Sequence, residues 1–290
     1  MAFLEYHPTQ TLYQFCSVDS FRGILSSKKI WCSDLEEAND PRELKLGFKH
    51  FTAALKFVRE NEFKGSKGLF LDRLRDELAR YRDVHQAFCA CFSLVKDELP
   101  MWNEYGSNYS GVAIGFRPTA LTSMPSRIQK AKYVNEDTNN DFHEVVREIA
   151  SRFDPSHNFD DVAYWITAST SAFSAITALK HRSWAHEREV RFIHLQTRKP
   201  ESVWIPRAEL PDGTPVYWQK PLSREVRGAR VEYKTFPFGR QKKRNYDYSG
   251  AIERVVIGPR CTLSKGEVQF ELEKNGFKDF EIENSDCQIR

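Results

Sequence analysis

The sequence predicts an α+β fold with a largely antiparallel sheet. Short apolar or alternating segments typical of strands recur along the 290 residues, and segments with helical spacing lie between them. The two kinds of element do not alternate regularly, as they would in a doubly wound parallel sheet. No repeat, low-complexity tract or long linker divides the chain, so we expect a single domain over residues 1–290.

The amino-terminal segment predicts a strand, a helix and a second strand. Residues 11–16 (TLYQFC) alternate as in a strand, and residues 18–27 have helical spacing with Ser17 or Asp19 as the N-cap. Residues 29–33 (KIWCS) predict the next strand. It should end in the polar Asn-Asp-Pro turn that follows, because proline cannot continue a central strand.

Two long helices and two buried strands are expected next. Residues 42–83 are rich in Leu, Phe, Lys, Arg and Glu at helical spacing, with an interruption near the glycines at 65–68. Residues 84–93 and 111–116 are almost continuously apolar and predict buried strands. A short helix at 99–105 should connect them.

The second half combines further helices with a series of strands. Residues 141–152 and 160–179 are expected to be helical, so that 42–83 and 138–180 form helical insertions in the sheet domain. Residues 188–195 (REVRFIHL) predict the clearest strand of this half. The remaining predicted elements are strands near 202–206, 229–234, 251–257 and 279–283 and a helix at 263–275.

Composition favours a soluble, cytoplasmic protein without a metal centre. The formal net charge of +3 is only mildly basic, and the apolar runs are too short to cross a bilayer. The amino terminus lacks the order of a signal peptide. The six cysteines contain no CxxC pair and are expected to be reduced, packed thiols.

The sequence lacks the common catalytic motifs. GxGxxG, GxxxxGK[ST], HExxH and GxSxG are all absent, which argues against a Rossmann dinucleotide site, a P-loop, a zinc protease and an α/β-hydrolase. Candidate chemistry therefore rests on clusters of polar and aromatic residues.

The sharpest cluster lies in residues 180–191 (KHRSWAHEREVR). On a strand, Glu187, Glu189 and Arg191 would point to one face. Two carboxylates roughly 6–7 Å apart on that face would be costly to bury without partners, and Arg191 could neutralise one. The pattern fits either a solvated face with an ion pair or a carboxylate held against a sugar, stabilising an oxocarbenium-like transition state.

Other candidate residues also have two interpretations. Trp102 and Tyr105 are three apart on a helix, which fits a core contact or an aromatic wall for a flat ring. Ser93 is more typical of a strand-end hydroxyl than of a nucleophile. Asn39 and Asp40 fit an Asx turn or a contact to ribose or adenine.

A basic run follows at residues 239–248 (GRQKKRNYDY). The run combines four cations, Arg240, Lys242, Lys243 and Arg244, with two tyrosines, a mixture that suits phosphate contacts and base stacking. A solvated loop is the alternative interpretation.

Several segments in order resemble a bacterial family of domains of unknown function. They are LYQFCSVDSFRGILSSKKIWCSDLEEANDPRE, CFSLVKDELPMWNEYGSNYSGVAIGF, WAHEREVRFI and IERVVIGP. They match an LYx[YF]xS opening, an NDPxE turn, a CFS…MWxxY…GVxIGF region and an ExEWR strand. That family is similar, more distantly, to ADP-ribosyltransferase folds, including the DarT-like toxins that modify DNA.

The resemblance implies an NAD site and two catalytic glutamates. Glu189 would bind the 2′-hydroxyl of the nicotinamide ribose, and Glu187 would orient or deprotonate the acceptor. Two positions depart from the pattern, since Gln14 stands where an Arg or His is usual and Val190 follows the second glutamate in place of Trp. Together with the clusters above, the implied NAD-binding residues are Tyr13, Gln14, Ser17, Trp31, Asn39, Asp40, Phe92, Ser93, Trp102 and Tyr105.

We therefore expect an ADP-ribosyltransferase of a bacterial defence or toxin system. NAD is its expected substrate, without a metal, and a nucleic acid, either RNA or DNA, is favoured over a protein as the acceptor. An antitoxin or regulatory protein is a further candidate partner, and no membrane partner is expected. The alternatives are an NAD glycohydrolase and a non-catalytic nucleic-acid or protein adaptor that keeps the fold with a degenerate site.

Overall fold

Ten strands form one largely antiparallel sheet among the residues described by the computed structural model. The predicted α+β class, with a largely antiparallel sheet and several helices, is confirmed. The described residues are 6–37, 42–137, 142–152, 160–199, 208–209, 215–216, 218–226, 228–242 and 245–289.

The strands and helices are as follows. The strands are β1 Leu12–Cys16, β2 Lys29–Asp34, β3 His85–Ser93, β4 Val112–Phe116, β5 Arg127–Lys130, β6 Lys132–Val134, β7 Leu179–His181, β8 Glu189–Thr197, β9 Ala208–Glu209, β10 Pro215–Val216, β11 Leu222–Val226, β12 Ala229–Pro237, β13 Arg240–Lys242, β14 Asn245–Asp247, β15 Ile252–Ile257 and β16 Glu281–Asn284. The helices are α1 Val18–Ser27, α2 Glu43–Asn61, α3 Gly65–Val84, α4 Leu99–Glu104, α5 Pro118–Leu121, α6 Phe142–Ser151, α7 Val162–Ile176 and α8 Lys265–Lys274. Short 3₁₀ helices span Leu35–Glu37 and Arg182–Glu187.

The central strand of the sheet is β3. The order is β11-β12-β2-β3-β1-β4-β15-β16, and β8 pairs with β3 and with β5. Strand β8 runs along the full length of β3, whereas β2 pairs with β3 only at Phe88 and Cys89, and β1 only at Ser93. Because a strand has two edges, β1 and β2 share the edge of β3 opposite β8. They therefore form a fork there.

The two faces of the sheet carry separate cores. On β3, Phe88 and Phe92 pack into one core with residues of α1 and α8. Cys89, on the other face, packs into a second core formed with α2, α3, α6 and α7. This alternation follows from the two-residue period of a strand, and it explains why β3 is apolar almost throughout.

Helix α1 forms as its sequence predicts. The Oγ of Ser17, the N-cap, accepts a hydrogen bond from the backbone N–H of Ser20 at 3.2 Å. Phe21, Ile24 and Leu25 are buried on one face of the helix. The helix then links β1 to β2 across the open end of the fork.

Two predicted segments differ from the observed elements, and a third cannot be compared because it lies outside the described residues. The predicted helix at 160–179 ends at Ile176, and its last residues begin the strand β7. A solvated loop was one interpretation of residues 239–248, but the described part of this segment forms the antiparallel hairpin β13–β14. The predicted strand near 202–206 lies outside the described residues. Within the described chain, no helix has the length and apolar character needed to cross a bilayer.

Candidate active site

A cavity of about 590 Å³ lies at the fork between β1 and β2. Ser33, Cys89 and Ser93 lie on the sheet face beneath the cavity. Ser33 on β2 is paired with Cys89 on β3, and Ser93 is four residues farther along β3, so the side chains share one face. The first turns of α1 close one side of the cavity, and Glu43 from α2 and Lys180 from β7 lie on the other. The fold thus places a cavity with both charged and apolar walls between the strand fork and the helical layer.

Three predicted site positions lie in one row across the sheet. Tyr13 on β1 is paired with Ser93 on β3, and Ser93 is paired with Glu189 on β8. Directly opposed residues of antiparallel strands have Cβ atoms about 4.5–5.5 Å apart, so the row brings these side chains within reach of one ligand. All three line the cavity.

Four buried charges meet at Lys180. Its ammonium nitrogen lies 2.5 Å from Glu187 Oε2, 3.2 Å from Glu189 Oε2 and 3.3 Å from Glu43 Oε1. Buried carboxylates this close together repel one another unless cations compensate them. Lys180 therefore holds three carboxylates in one place.

Arg191 is the second cation of this group. Its Nε and Nη2 donate to Glu189 Oε2 at 3.1 and 3.0 Å, Nη2 also donates to Glu43 Oε2 at 2.8 Å, and Nη1 donates to the Thr177 carbonyl at 2.7 Å. We call Glu43, Lys180, Glu187, Glu189 and Arg191 the carboxylate cluster. The expectation that Arg191 neutralises a glutamate is confirmed.

The two oxygens of the Glu189 carboxylate are in different environments. The hydrogen bonds from Lys180 and Arg191 all go to Oε2. Within the described part of the chain, Oε1 is buried without a nitrogen or oxygen donor, although the Cys91 thiol, a weak donor, lies close enough to the carboxylate to lower its pKa. A buried acceptor without a donor costs free energy, so a ligand that brings a hydroxyl to Oε1 would relieve that cost.

The neighbouring charges separate the pKa values of the two glutamates. Burial alone would raise the pKa of Glu189, but the charges of Arg191 and Lys180 lower it to about 2. The pKa of Glu187 is raised, because burial and the charge of Glu189 outweigh the attraction of Lys180. A pair with separated pKa values can supply a permanent negative charge and a proton acceptor at one site.

One tyrosine binds the Glu187 carboxylate, and another binds the backbone of Glu189. The hydroxyl of Tyr105 donates to Glu187 Oε1 at 2.5 Å. The backbone N–H of Glu189 donates to the Tyr133 hydroxyl at 2.8 Å. The Ser93 hydroxyl is bonded to the backbone: its Oγ donates to the Glu187 carbonyl at 2.6 Å and accepts from the Val95 N–H at 3.1 Å. These contacts fit its interpretation as a strand-end hydroxyl.

Glu187 does not lie on the predicted strand. It ends the 3₁₀ helix Arg182–Glu187, and Arg188 has a left-handed backbone with φ of 42° before β8 begins at Glu189. The prediction that Glu187, Glu189 and Arg191 follow one strand face is therefore wrong for Glu187. The turn nevertheless brings both glutamates to Lys180.

The predicted NAD-binding residues divide between the cavity and its surroundings. Trp102 is fully buried, packs edge-on against Phe15 with ring centroids 4.7 Å apart, and donates from Nε1 to Asp97 at 2.5 Å. Ser17 caps α1, and Asn39 and Asp40 lie outside the described residues. The predicted residues that line the cavity are Tyr13, Gln14, Trp31, Phe92, Ser93 and Tyr105.

Six described lining residues that carry charge were not predicted as site residues: Asp19, Asp34, Glu37, Glu43, Lys180 and Arg224. Glu43 is the last residue of the NDPRE segment, so the quoted motif already contained it. Lys180 opens the 180–191 segment, where it was not singled out. Nothing in the local sequence around Arg224 distinguishes it from other surface cations.

The one fully described cation of the basic run is separate from the described lining of the cavity. Arg240 is exposed on the β13–β14 hairpin and is absent from the described lining. Lys243 and Arg244 lie outside the described residues, as does the side chain of Lys242. Binding of a nucleic acid by this run stays a prediction.

Comparison with known proteins identifies a domain in the middle of the chain. Residues 101–192 match a family model described as a protein of unknown function (DUF2971). The matched segment runs from α4 to β8 and contains Tyr105, Lys180, Glu187 and Glu189. Neither a curated protein nor a solved structure matches the chain.

Proposed function

We propose that this protein is an ADP-ribosyltransferase of a bacterial defence or toxin system. It transfers ADP-ribose from NAD to a macromolecule, with a nucleic acid as the favoured acceptor. The observation that carries the proposal is the carboxylate of Glu189, a residue that lines the cavity: two cations hold it by Oε2, and among the described residues its Oε1 has no conventional hydrogen-bond donor. An ADP-ribosyltransferase-like arrangement of the sheet and a role in defence belong to the same proposal.

The reaction breaks the glycosidic bond between ribose C1′ and the nicotinamide nitrogen. Nicotinamide leaves with the bonding electron pair, and positive charge develops on the ribose. The ionised Glu189 accepts the 2′-hydroxyl through Oε1 and stabilises that charge electrostatically. An acceptor nucleophile then bonds to C1′, and Glu187, whose pKa is raised, takes the proton it releases.

The charge of the lining supports a ligand with a cationic reacting end. Among the described lining residues, the acidic side chains outnumber the basic ones, Lys180 and Arg224. An acidic, partly desolvated pocket favours a positively charged nicotinamide ring and the cation that forms when it leaves. The acidic lining residues are Asp19, Asp34, Glu37, Glu43, Glu187 and Glu189.

The test is incubation with NAD labelled in the adenylate, together with RNA, DNA or cell lysate. Wild type should label a macromolecule and release nicotinamide, and Glu189→Gln should lower both rates by about a hundredfold or more. Glu144→Gln removes an exposed carboxylate from α6 and is the matched control, expected to match wild type. Equal labelling by wild type and Glu189→Gln would refute transfer at this site.

Hydrolysis of NAD is a second candidate. Arg240, the described cation of the basic run, lies outside the described lining of the cavity. A nucleic acid bound to Arg240 would therefore not be held at the reacting groups, which favours water as the acceptor. The same assay separates the two activities, because hydrolysis releases nicotinamide without labelling a macromolecule. A non-catalytic adaptor would release none, and its nucleic-acid binding would weaken with rising salt.

A further inference from the structure

The end of the cavity farthest from β8 contains a cation that has no carboxylate partner among the described residues. Arg224 on the edge strand β11 lines the cavity together with Trp31 and Ser33 of β2. Its Nη2 donates to the Ser33 hydroxyl at 3.0 Å. We call Trp31, Ser33, Arg224 and Tyr233 the edge subsite.

Aromatic rings hold the guanidinium of Arg224 in place. Its central carbon lies 4.9 Å from the ring centroid of Trp31 and 5.5 Å from that of Tyr233. The two rings stack with centroids 4.6 Å apart and an angle of 21°. This contact orients the cation without neutralising its charge.

The hydrogen-bonding capacity of this guanidinium is largely unused. An arginine has five N–H donors. Among the described residues, Ser33 is the acceptor found for Arg224, its Nε is buried without a partner, and no carboxylate pairs with it. Lys180, the other cation that lines the cavity, is in contact with three carboxylates.

We propose that Arg224 binds a phosphate of a nucleotide pyrophosphate that enters this cavity. This assignment rests on the proposed function: the phosphates of NAD bind at the edge subsite, and its nicotinamide ribose binds at Glu189. The carboxylates of Glu43, Glu187 and Glu189 at the other end of the cavity repel phosphate, which favours its placement beside Arg224.

The strand register sets the separation of the two ends. Ser33 is paired with Cys89, and Glu189 is paired with Ser93, four residues farther along β3. Two strand spacings across the sheet and four residues along it place the backbones of Ser33 and Glu189 roughly 16 Å apart. The Arg224 guanidinium bonds Ser33 at one end of the cavity and Glu189 lies at the other, so the two residues can contact different parts of one extended ligand.

The experiment is calorimetric titration with ADP and with adenosine, neither of which can release nicotinamide. Wild type should bind ADP more tightly than adenosine. Arg224→Gln should weaken ADP binding about ten- to hundredfold, the range for a lost charge-assisted hydrogen bond, and leave adenosine binding unchanged. Arg224→Lys keeps the charge without the planar fork and should lie between the two.

Arg230→Gln is the matched control, because Arg230 is an exposed cation on the neighbouring strand β12. It should bind ADP as wild type does. Unchanged ADP affinity in Arg224→Gln, or an equal loss of adenosine binding, would overturn the proposal. So would a loss confined to a single-stranded oligonucleotide, which would assign Arg224 to an acceptor backbone instead.

These outcomes are separate from those of the transfer assay. ADP binding that depends on Arg224 in a protein that never consumes NAD would retain the phosphate site and reject transfer. Transfer that persists with unchanged ADP affinity in Arg224→Gln would reject the phosphate site alone. Far-ultraviolet circular dichroism of each variant verifies that it is folded.

Discussion

The carboxylate cluster and the edge subsite use cations in opposite ways. In the carboxylate cluster, Lys180 and Arg191 are buried and bonded to glutamates that repel one another. In the edge subsite, Arg224 is half-buried and lies against aromatic rings and a hydroxyl. The neighbours of a cation therefore decide its role. A cation whose N–H donors are already bonded to carboxylates has few donors left to bind a ligand.

The largest effect should come from removing the ammonium of Lys180. Lys180→Met leaves three buried carboxylates beside one remaining cation, so the free energy of unfolding should fall by about 3–5 kcal/mol. Urea denaturation measures this change. Lys45→Met, at an exposed position of α2, is the control and should change stability by less than about 0.5 kcal/mol. A loss as small as that of the control would mean that the cluster does not depend on Lys180.

Acid should weaken the carboxylate cluster through Glu189. The pKa of this residue is lowered from 4.5 to about 2 in the fold, chiefly by Arg191 and Lys180 against the effect of burial. Its ionised form therefore contributes about 3 kcal/mol of stability above pH 5, and this contribution is lost as the pH falls towards 2.

Urea unfolding of wild type and Glu189→Gln between pH 2 and 6 measures this contribution. The difference in stability between the two proteins should be greatest near pH 6 and should shrink towards pH 2. A difference that is constant across this range would contradict the lowered pKa.

Loss of the Tyr105 hydroxyl should have an intermediate effect. Tyr105→Phe removes the donor to Glu187, which should cost about 1–2 kcal/mol of stability. That hydrogen bond also lowers the pKa of Glu187, so its loss should move the acidic limb of nicotinamide release to higher pH. The pH profile of release measures the shift, and Tyr109→Phe should leave the profile unchanged. If the acidic limb of the pH profile is the same in Tyr105→Phe as in wild type, Glu187 is not the group that accepts the proton.

The smallest effect on stability is expected at the edge subsite. Arg224→Gln removes contacts of a half-buried cation with two rings and one hydroxyl, so unfolding should change by less than about 1 kcal/mol. Thermal and urea unfolding measure this change. If Arg224→Gln lowers the free energy of unfolding as much as Lys180→Met does, Arg224 is a structural residue and the two regions do not differ in this respect.

The elements that sequence predicts well are those that local interactions specify. The bounds of α1 follow from the Ser17 cap and from an apolar face that repeats at helical spacing. The strand β3 follows from a continuous apolar run. In contrast, the spacing of Glu187, Glu189 and Arg191 fits an unbroken strand, and only the left-handed Arg188 separates Glu187 from it.

By itself, the sequence determined the α+β class, most helices and strands, and the presence of polar candidates on β1, β3 and β8. Each of these follows from propensities and periodicities that act over a few residues. Only the tertiary structure decided that Glu43, remote in sequence, joins Lys180 and Glu189, and that Arg224 completes the far end of the same cavity. Long-range packing makes these choices, because the burial and compensation of a charge depend on every strand and helix that surrounds it.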